Sequence, residues 1–93
     1  MHPIGVTFDP SKRQKTVVER GLDFVRARDA FEGVTVTTDD ERLDYGEHRC
    51  VTVGYLDERI VVVVWTPRGR ARRIISMRKA NEREIAKFLR DLD

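Results

Sequence analysis

Arg59-Ile60-Val61-Val62-Val63-Val64-Trp65 decides the fold. Its β-branched residues favour a strand, and the apolar run from Ile60 to Trp65 leaves no polar face for solvent. A strand apolar on both sides is covered on both sides, so it belongs in the middle of a sheet. The run is far shorter than the roughly 20 residues a helix needs to cross a bilayer. Before it, Asp57-Glu58 makes a tight connection to Arg49–Leu56, which alternates with period two. Val51, Val53 and Tyr55 share one face, and Cys50, Thr52 and Leu56 the other. After it, Pro67 to Gly69 turn the chain and Arg72 to Met77 return as a further strand, with Ile74 and Ile75 on opposite faces.

Further out, Val34-Thr35-Val36-Thr37-Thr38 is another period-two strand, separated from Arg49 by a polar loop over residues 39 to 47. Upstream, Val6-Thr7-Phe8 is a short apolar lead-in. Asp9-Pro10 starts a helix predicted from Pro10 to Arg20, with Asp9 as cap, Pro in the first turn and Gly21 as the left-handed stop. Asp23 caps a second helix, in which Phe24, Ala27, Ala30 and Phe31 form one core stripe up to Gly33. At the far end Asn81 and Glu84 have the spacing of a capping pair. Ile85, Phe88, Leu89 and Leu92 then line one face of a C-terminal helix. Two N-terminal helices, three to four strands and a final helix make a single α+β domain over residues 1–93, with a curved antiparallel sheet.

The chain of 93 residues is 40% hydrophobic and 37% charged, which suits a soluble folded protein. The first residues lack the basic and apolar blocks of a signal peptide, so a cytoplasmic location is expected. Cys50 stands alone, which excludes an internal disulfide, and in its strand it reads as a small buried hydrophobe. No His/Cys/carboxylate grouping with ligand spacing is legible, and no Gly-rich phosphate loop, so neither metal nor cofactor is expected. Tyr55 and Trp65 read as core; Tyr45, in the polar loop, is the one candidate platform for a base. The apolar side of the last helix is accounted for by core, which argues against a membrane surface.

Charge is unevenly spread. The net charge is +2, yet residues 68 to 90 carry nine cations (Arg68, Arg70, Arg72, Arg73, Arg78, Lys79, Arg83, Lys87, Arg90) against Glu82 and Glu84. Such concentration is the footprint of a polyanion-binding surface. Cutting RNA without a metal needs a base for the 2′-hydroxyl, cations for the phosphate and an acid for the leaving oxygen. Arginine serves the second need through its planar, permanently charged donor fork. In an antiparallel meander the start of the strand near Glu47 lies beside the end of its hairpin partner, which brings Glu47 toward Arg68. His48 is a candidate acid or base.

The chain also resembles the BrnT family of bacterial type II toxins, small ribonucleases with a RelE-like fold. The likeness runs from Phe8 to about Phe88. Its first markers are Phe8-Asp9-Pro10-Ser11-Lys12, Gly21-Leu22-Asp23-Phe24 and Ala30-Phe31. Asp44-Tyr45-Gly46-Glu47-His48-Arg49 and Val51-Thr52-Val53-Gly54 follow. Then come Thr66-Pro67-Arg68-Gly69, Arg73-Ile74-Ile75-Ser76-Met77-Arg78-Lys79-Ala80 and Glu82-Arg83-Glu84. The resemblance implies an endoribonuclease that blocks translation. It also implies a BrnA-like ribbon-helix-helix antitoxin in a hetero-oligomer, with operator DNA touched only through that partner. By position it implies catalytic roles for Glu47, Arg68 and Arg78, with Arg83 and Lys15 as supporting cations; Arg73 and Lys79 complete the candidate RNA-binding set. The chain departs from many members at Glu19-Arg20-Gly21, where they carry Lys-His-Gly, and at His48 and Cys50. The general acid stays open among His48, Lys79 and water. A non-catalytic RNA- or ribosome-binding module is the alternative reading, and a pure binder has no use for Glu47 among cations. A DNA-binding regulator finds no helix-turn-helix signal.

Overall fold

A computed structural model describes residues 5–40 and 46–92. Glu41, Asp44 and Tyr45 of the polar loop, and with them the expectation that Tyr45 is a platform for a base, lie outside the described residues. Among the described residues, the strands are β1 Val6–Phe8, β2 Thr35–Asp39, β3 Cys50–Leu56, β4 Arg59–Arg68 and β5 Ala71–Lys79. The α-helices are α1 Pro10–Arg20, α2 Ala27–Glu32 and α3 Glu82–Asp91.

The apolar run does occupy the centre. The sheet order is β1-β5-β4-β3-β2, and Val61, Val62 and Val63 of β4 are all buried. Two features of the expected sheet need correction. It has five strands, and it is mixed, because β1 pairs in parallel with β5, from Val6 opposite Arg72 to Phe8 opposite Ile74. Three residues are too few to display a period, and a partner so distant in sequence leaves no local trace. What fixes β1 is apolar contact: Phe8 meets Phe24 edge-on, with centroids 5.9 Å apart.

The helix signals were local and act as read. Asp9 accepts from the Ser11 N–H, and Gly21, at φ 68°, ends α1 with its N–H on the Val17 carbonyl. Asp23 accepts from the Val25 N–H but opens a 3₁₀ turn, Phe24–Arg26, so α2 begins only at Ala27. Asn81 and Glu84 form a full capping box at α3. Leu89 and Leu92 on that helix stay more than a third exposed, so core covers only part of its apolar stripe.

Strand register defines two faces. Cys50, Thr52, Gly54 and Leu56 of β3 point with Val61, Val63 and Trp65 of β4 toward the first two helices. There they meet Leu22, Phe24, Ala27 and Ala30 in the main core. A bulge in β5 is decisive for the other face. Val64 pairs with Ser76 but Trp65 pairs with Ile74, so Ile75 is an extra residue. Ile74 and Met77 thereby both reach the core, while Arg73 and Arg78, an odd number of positions apart, share the opposite face. One extra residue is what shifts the alternation.

That opposite face carries Val51, Val53 and Tyr55 of β3 and Val62, Val64, Thr66 and Arg68 of β4. Helix α3 covers one end of it, with Phe88 edge-on to Tyr55 at 5.5 Å. Tyr55, expected in the core, is 41% exposed because it lies at the rim of this packing.

Candidate functional site

The uncovered half of the second face ends at Glu47 and Arg68. The β3–β4 register, continued past Cys50 opposite Trp65, sets Glu47 across from Arg68. Thr66 keeps that extension in place by donating its hydroxyl to the His48 carbonyl at 2.5 Å. Glu47 Oε2 accepts from Arg68 Nη2 at 3.1 Å, and its Oε1 lies 3.6 Å from Arg49 Nε. Arg68 closes β4 just before Gly69, whose φ of 57° supplies the first position of a two-residue turn. The Arg68 side chain is half exposed, so a phosphate can reach it from solvent. Arg73, opposite Thr66, is the next cation on the face and makes no ion pair with a described residue.

Arg78 belongs to a second cluster. It donates to both oxygens of Glu84, at 2.7 and 2.6 Å, while Glu84 also accepts from the Asn81 N–H at 2.9 Å. The Arg78 guanidinium holds the Glu84 carboxyl down at about 2, chiefly through these hydrogen bonds. Arg78 pairs with Val62, six residues along β4 from Arg68; at about 3.3 Å per residue that is roughly 20 Å. The fold thus joins Glu47 to Arg68 and sets Arg78 apart from both. Beside Arg78 and Glu84 lies a cleft of about 320 Å³, which Asp39, Asp40, Val51, Val62, Val64 and Ser76 also line.

The remaining candidate cations are scattered: Lys15 stands on the helix side of the sheet, and Lys79 pairs with Val61 of the first face. Lys15, on α1 and 3.9 Å from Glu19, flanks a smaller cleft beside Ile75 and Ser76. Arg83 lies exposed in the first turn of α3. Lys79 ends β5 near Tyr55, Ile60 and Ile85, at the far end from Glu47.

His48 turns the other way. Alternation sends its ring to the first face, where Nε2 lies 3.3 Å from Cys50 Sγ and 3.2 Å from Asp39 Oδ1. Its neighbour Glu47 is on the second face, so the two do not converge. No His/Cys/carboxylate grouping is legible along the sequence; the fold makes one, because Asp39 pairs directly opposite Cys50. The available signal was His48-x-Cys50 on an alternating strand, but its third member is eleven positions from Cys50 and adjacent only through hairpin register. Burial pushes the Cys50 thiol up, Asp39 adds to this and Arg72 opposes it. Arg72 itself stacks on Phe31 at 4.1 Å and Trp65 at 5.1 Å, and burial lowers its pKa. Trp65 is anchored as core: its indole N–H donates to Thr52 Oγ1 at 2.8 Å.

A small α+β protein with a carboxylate–guanidinium pair at the end of a solvent-facing sheet surface, and with Arg73 and Arg78 further along it, has the parts to engage a phosphodiester. The family model described as the ribonuclease toxin BrnT of type II toxin–antitoxin systems matches residues 8–84, and the chain belongs to that family. Membership makes it a ribonuclease toxin, with RNA as substrate and a protein antitoxin as partner. No curated protein matches the chain. Among the described residues no helix is long and apolar enough to cross a membrane.

Proposed function

We propose that the chain is a metal-independent endoribonuclease whose reaction centre is the Glu47–Arg68 pair. Glu47 takes the proton of an RNA 2′-hydroxyl, and the resulting oxyanion attacks the adjacent phosphorus. Arg68 moves from the carboxylate to the phosphate and stabilises its developing charge. Arg73 adds a second cation from the neighbouring strand. The leaving 5′-oxygen takes its proton from water, since His48 faces the other side of the sheet and Lys79 lies at the far end of β5. Arg78, with Arg83 and Lys15, grips the strand several nucleotides away, so its part is to hold the substrate.

The observation that carries this reading is the 3.1 Å contact between Glu47 Oε2 and Arg68 Nη2 at the accessible end of the face. A carboxylate kept among guanidinium groups serves proton transfer and offers nothing to simple polyanion binding. On this reading cutting RNA inhibits translation in the cytoplasm. A BrnA-like ribbon-helix-helix antitoxin neutralises the toxin in a hetero-oligomer that reaches operator DNA through the antitoxin, and the fold is of the RelE type.

The test is cleavage of labelled single-stranded RNA by the wild type and Arg68→Ala. Loss of a transition-state donor should slow cleavage by about a hundredfold or more, while the melting temperature stays put, because Arg68 is exposed. RNA retarded on a gel but left intact by both proteins, free or ribosome-bound, would instead mark a non-catalytic binding module.

A further inference from the structure

We propose that Asp39, His48 and Cys50 form a binding site for a divalent transition metal ion, of which zinc is the type. Asp39 ends β2 and pairs opposite Cys50, and His48 is two residues before Cys50 on the same face. Their ligand atoms all lie within 4.8 Å of one another, with imidazole to sulfur at 3.3 Å and imidazole to carboxylate at 3.2 Å. A tetrahedral ion with bonds near 2.0–2.3 Å spaces its ligand atoms about 3.2–3.8 Å apart. Two of the three spacings therefore already suit coordination, and a small rotation of the exposed Asp39 side chain closes the third.

The donor set selects the ion. A thiolate, an imidazole and a carboxylate together favour zinc-like ions over magnesium or calcium, which take oxygen donors. Two anionic ligands offset the charge of a dication. Arg72, whose charge acts on Cys50, works against the ion and in favour of the thiolate, so it moderates the site without removing it. Asp39 and His48 are open to solvent and give the ion its way in, while Cys50 forms the buried floor. Three protein ligands leave a fourth position for water.

The ion would act as a clasp. Asp39 and His48 stand on either side of the polar loop, so one ion binds both its ends. Glu47 precedes His48 and faces the other side of the sheet, so the metal steadies its backbone and takes no part in the reaction.

The experiment is titration of the tag-free full chain with Co²⁺, followed by displacement with Zn²⁺. One Co²⁺ per chain should bind, with a near-ultraviolet thiolate-to-cobalt charge-transfer band and the visible bands of a tetrahedral site. Cys50→Ser should abolish the charge-transfer band. His48→Ala and Asp39→Asn, both at exposed positions that keep the fold, should weaken binding by about tenfold or more. Zn²⁺ should raise the melting temperature of the wild type, and by clearly less that of His48→Ala at the same concentration. Absence of the charge-transfer band would overturn the proposal, leaving a trio held by hydrogen bonds alone. So would a band of undiminished affinity in both His48→Ala and Asp39→Asn, and so would one that disappears in His2→Ala.

Discussion

Replacing Glu84 by Gln removes a charge and keeps a shape. The amide oxygen in the Oε1 position still accepts from the Asn81 N–H and from Arg78 Nη1, so the capping box survives, but the amide nitrogen in the Oε2 position cannot accept from Arg78 Nη2 and the ionic charge is gone. Glu84 is held at about 2 from an ordinary value of 4.5, with Arg78 as the main cause. At face value a shift of that size corresponds to about 3 kcal/mol. The two side chains are 27% and 42% exposed, so solvent screening reduces the contribution to about 1–2 kcal/mol. A depressed carboxyl stabilises the fold fully above its unfolded value and progressively less as pH falls toward the folded one. The loss is therefore expected between about pH 4.5 and 2. At pH 7 Glu84→Gln should melt lower by about 4–15 °C, given roughly 4–8 °C per kcal/mol for a domain of this size. At pH 2 the two proteins should converge. Thermal denaturation followed by far-ultraviolet circular dichroism at pH 7, 5, 3 and 2 gives both quantities. Equal melting at pH 7, or a gap undiminished at pH 2, would refute the reasoning. Arg78 is the poorer place to probe, since it makes further interactions that its truncation would also remove.

Four other perturbations have definite outcomes. Asp57 and Glu58, at φ 51° and 70°, form the β3–β4 turn without glycine. Glu58→Gly should relieve about 1–2 kcal/mol of left-handed strain and return about 0.5–1 through the freer unfolded chain, so urea unfolding should show a small gain; any loss contradicts this. A Cβ at Gly54 would stand 2.9 Å from Thr35 Cγ2 and 3.4 Å from the Ala30 and Val34 carbonyl oxygens, so Gly54→Ala should cost about 1–3 kcal/mol, and an unchanged midpoint would count against the packing described. Thr52→Val strands the Trp65 indole N–H that now meets Thr52 at 2.8 Å and removes the partner of the exposed Thr37 hydroxyl; it should cost about 1–3 kcal/mol, read by the same unfolding assay. RNA affinity should fall with salt with a log–log slope near −0.7 per phosphate contacted, and Arg73→Ala should flatten that slope by about one such unit; an unaltered slope would remove Arg73 from the interface.

What the sequence made legible was whatever signals locally. Asp9-Pro10 with Gly21 marked both ends of α1, Asn81 with Glu84 marked the start of α3, and the valine run found the central strand. Hairpin logic also carried Glu47 to Arg68, because that pair depends on consecutive strands with a tight turn. Pairings across long separations were hidden. The parallel partner of β1 lies more than sixty residues away, and the Asp39–Cys50 apposition spans a long loop. The extra residue at Ile75 was invisible for another reason: Ile74 and Ile75 are both apolar, so the pattern gave no sign of where alternation slips. That slip is what sets Arg73 and Arg78 on one face. The partnership of Arg78 with Glu84 was missed as well, because it joins a strand to a helix approaching from above the sheet.

The central claim is that Glu47 is the base of an RNA-cleaving site that needs no metal. It is tested most directly by single-turnover cleavage of end-labelled RNA in excess EDTA, wild type against Glu47→Gln, with the product ends identified. The wild type should leave a 2′,3′-cyclic phosphate, and a Glu47→Gln protein that melts normally should cut at a rate about a hundredfold lower. Cleavage by Glu47→Gln at the wild-type rate, or wild-type cleavage that EDTA abolishes, would contradict the claim.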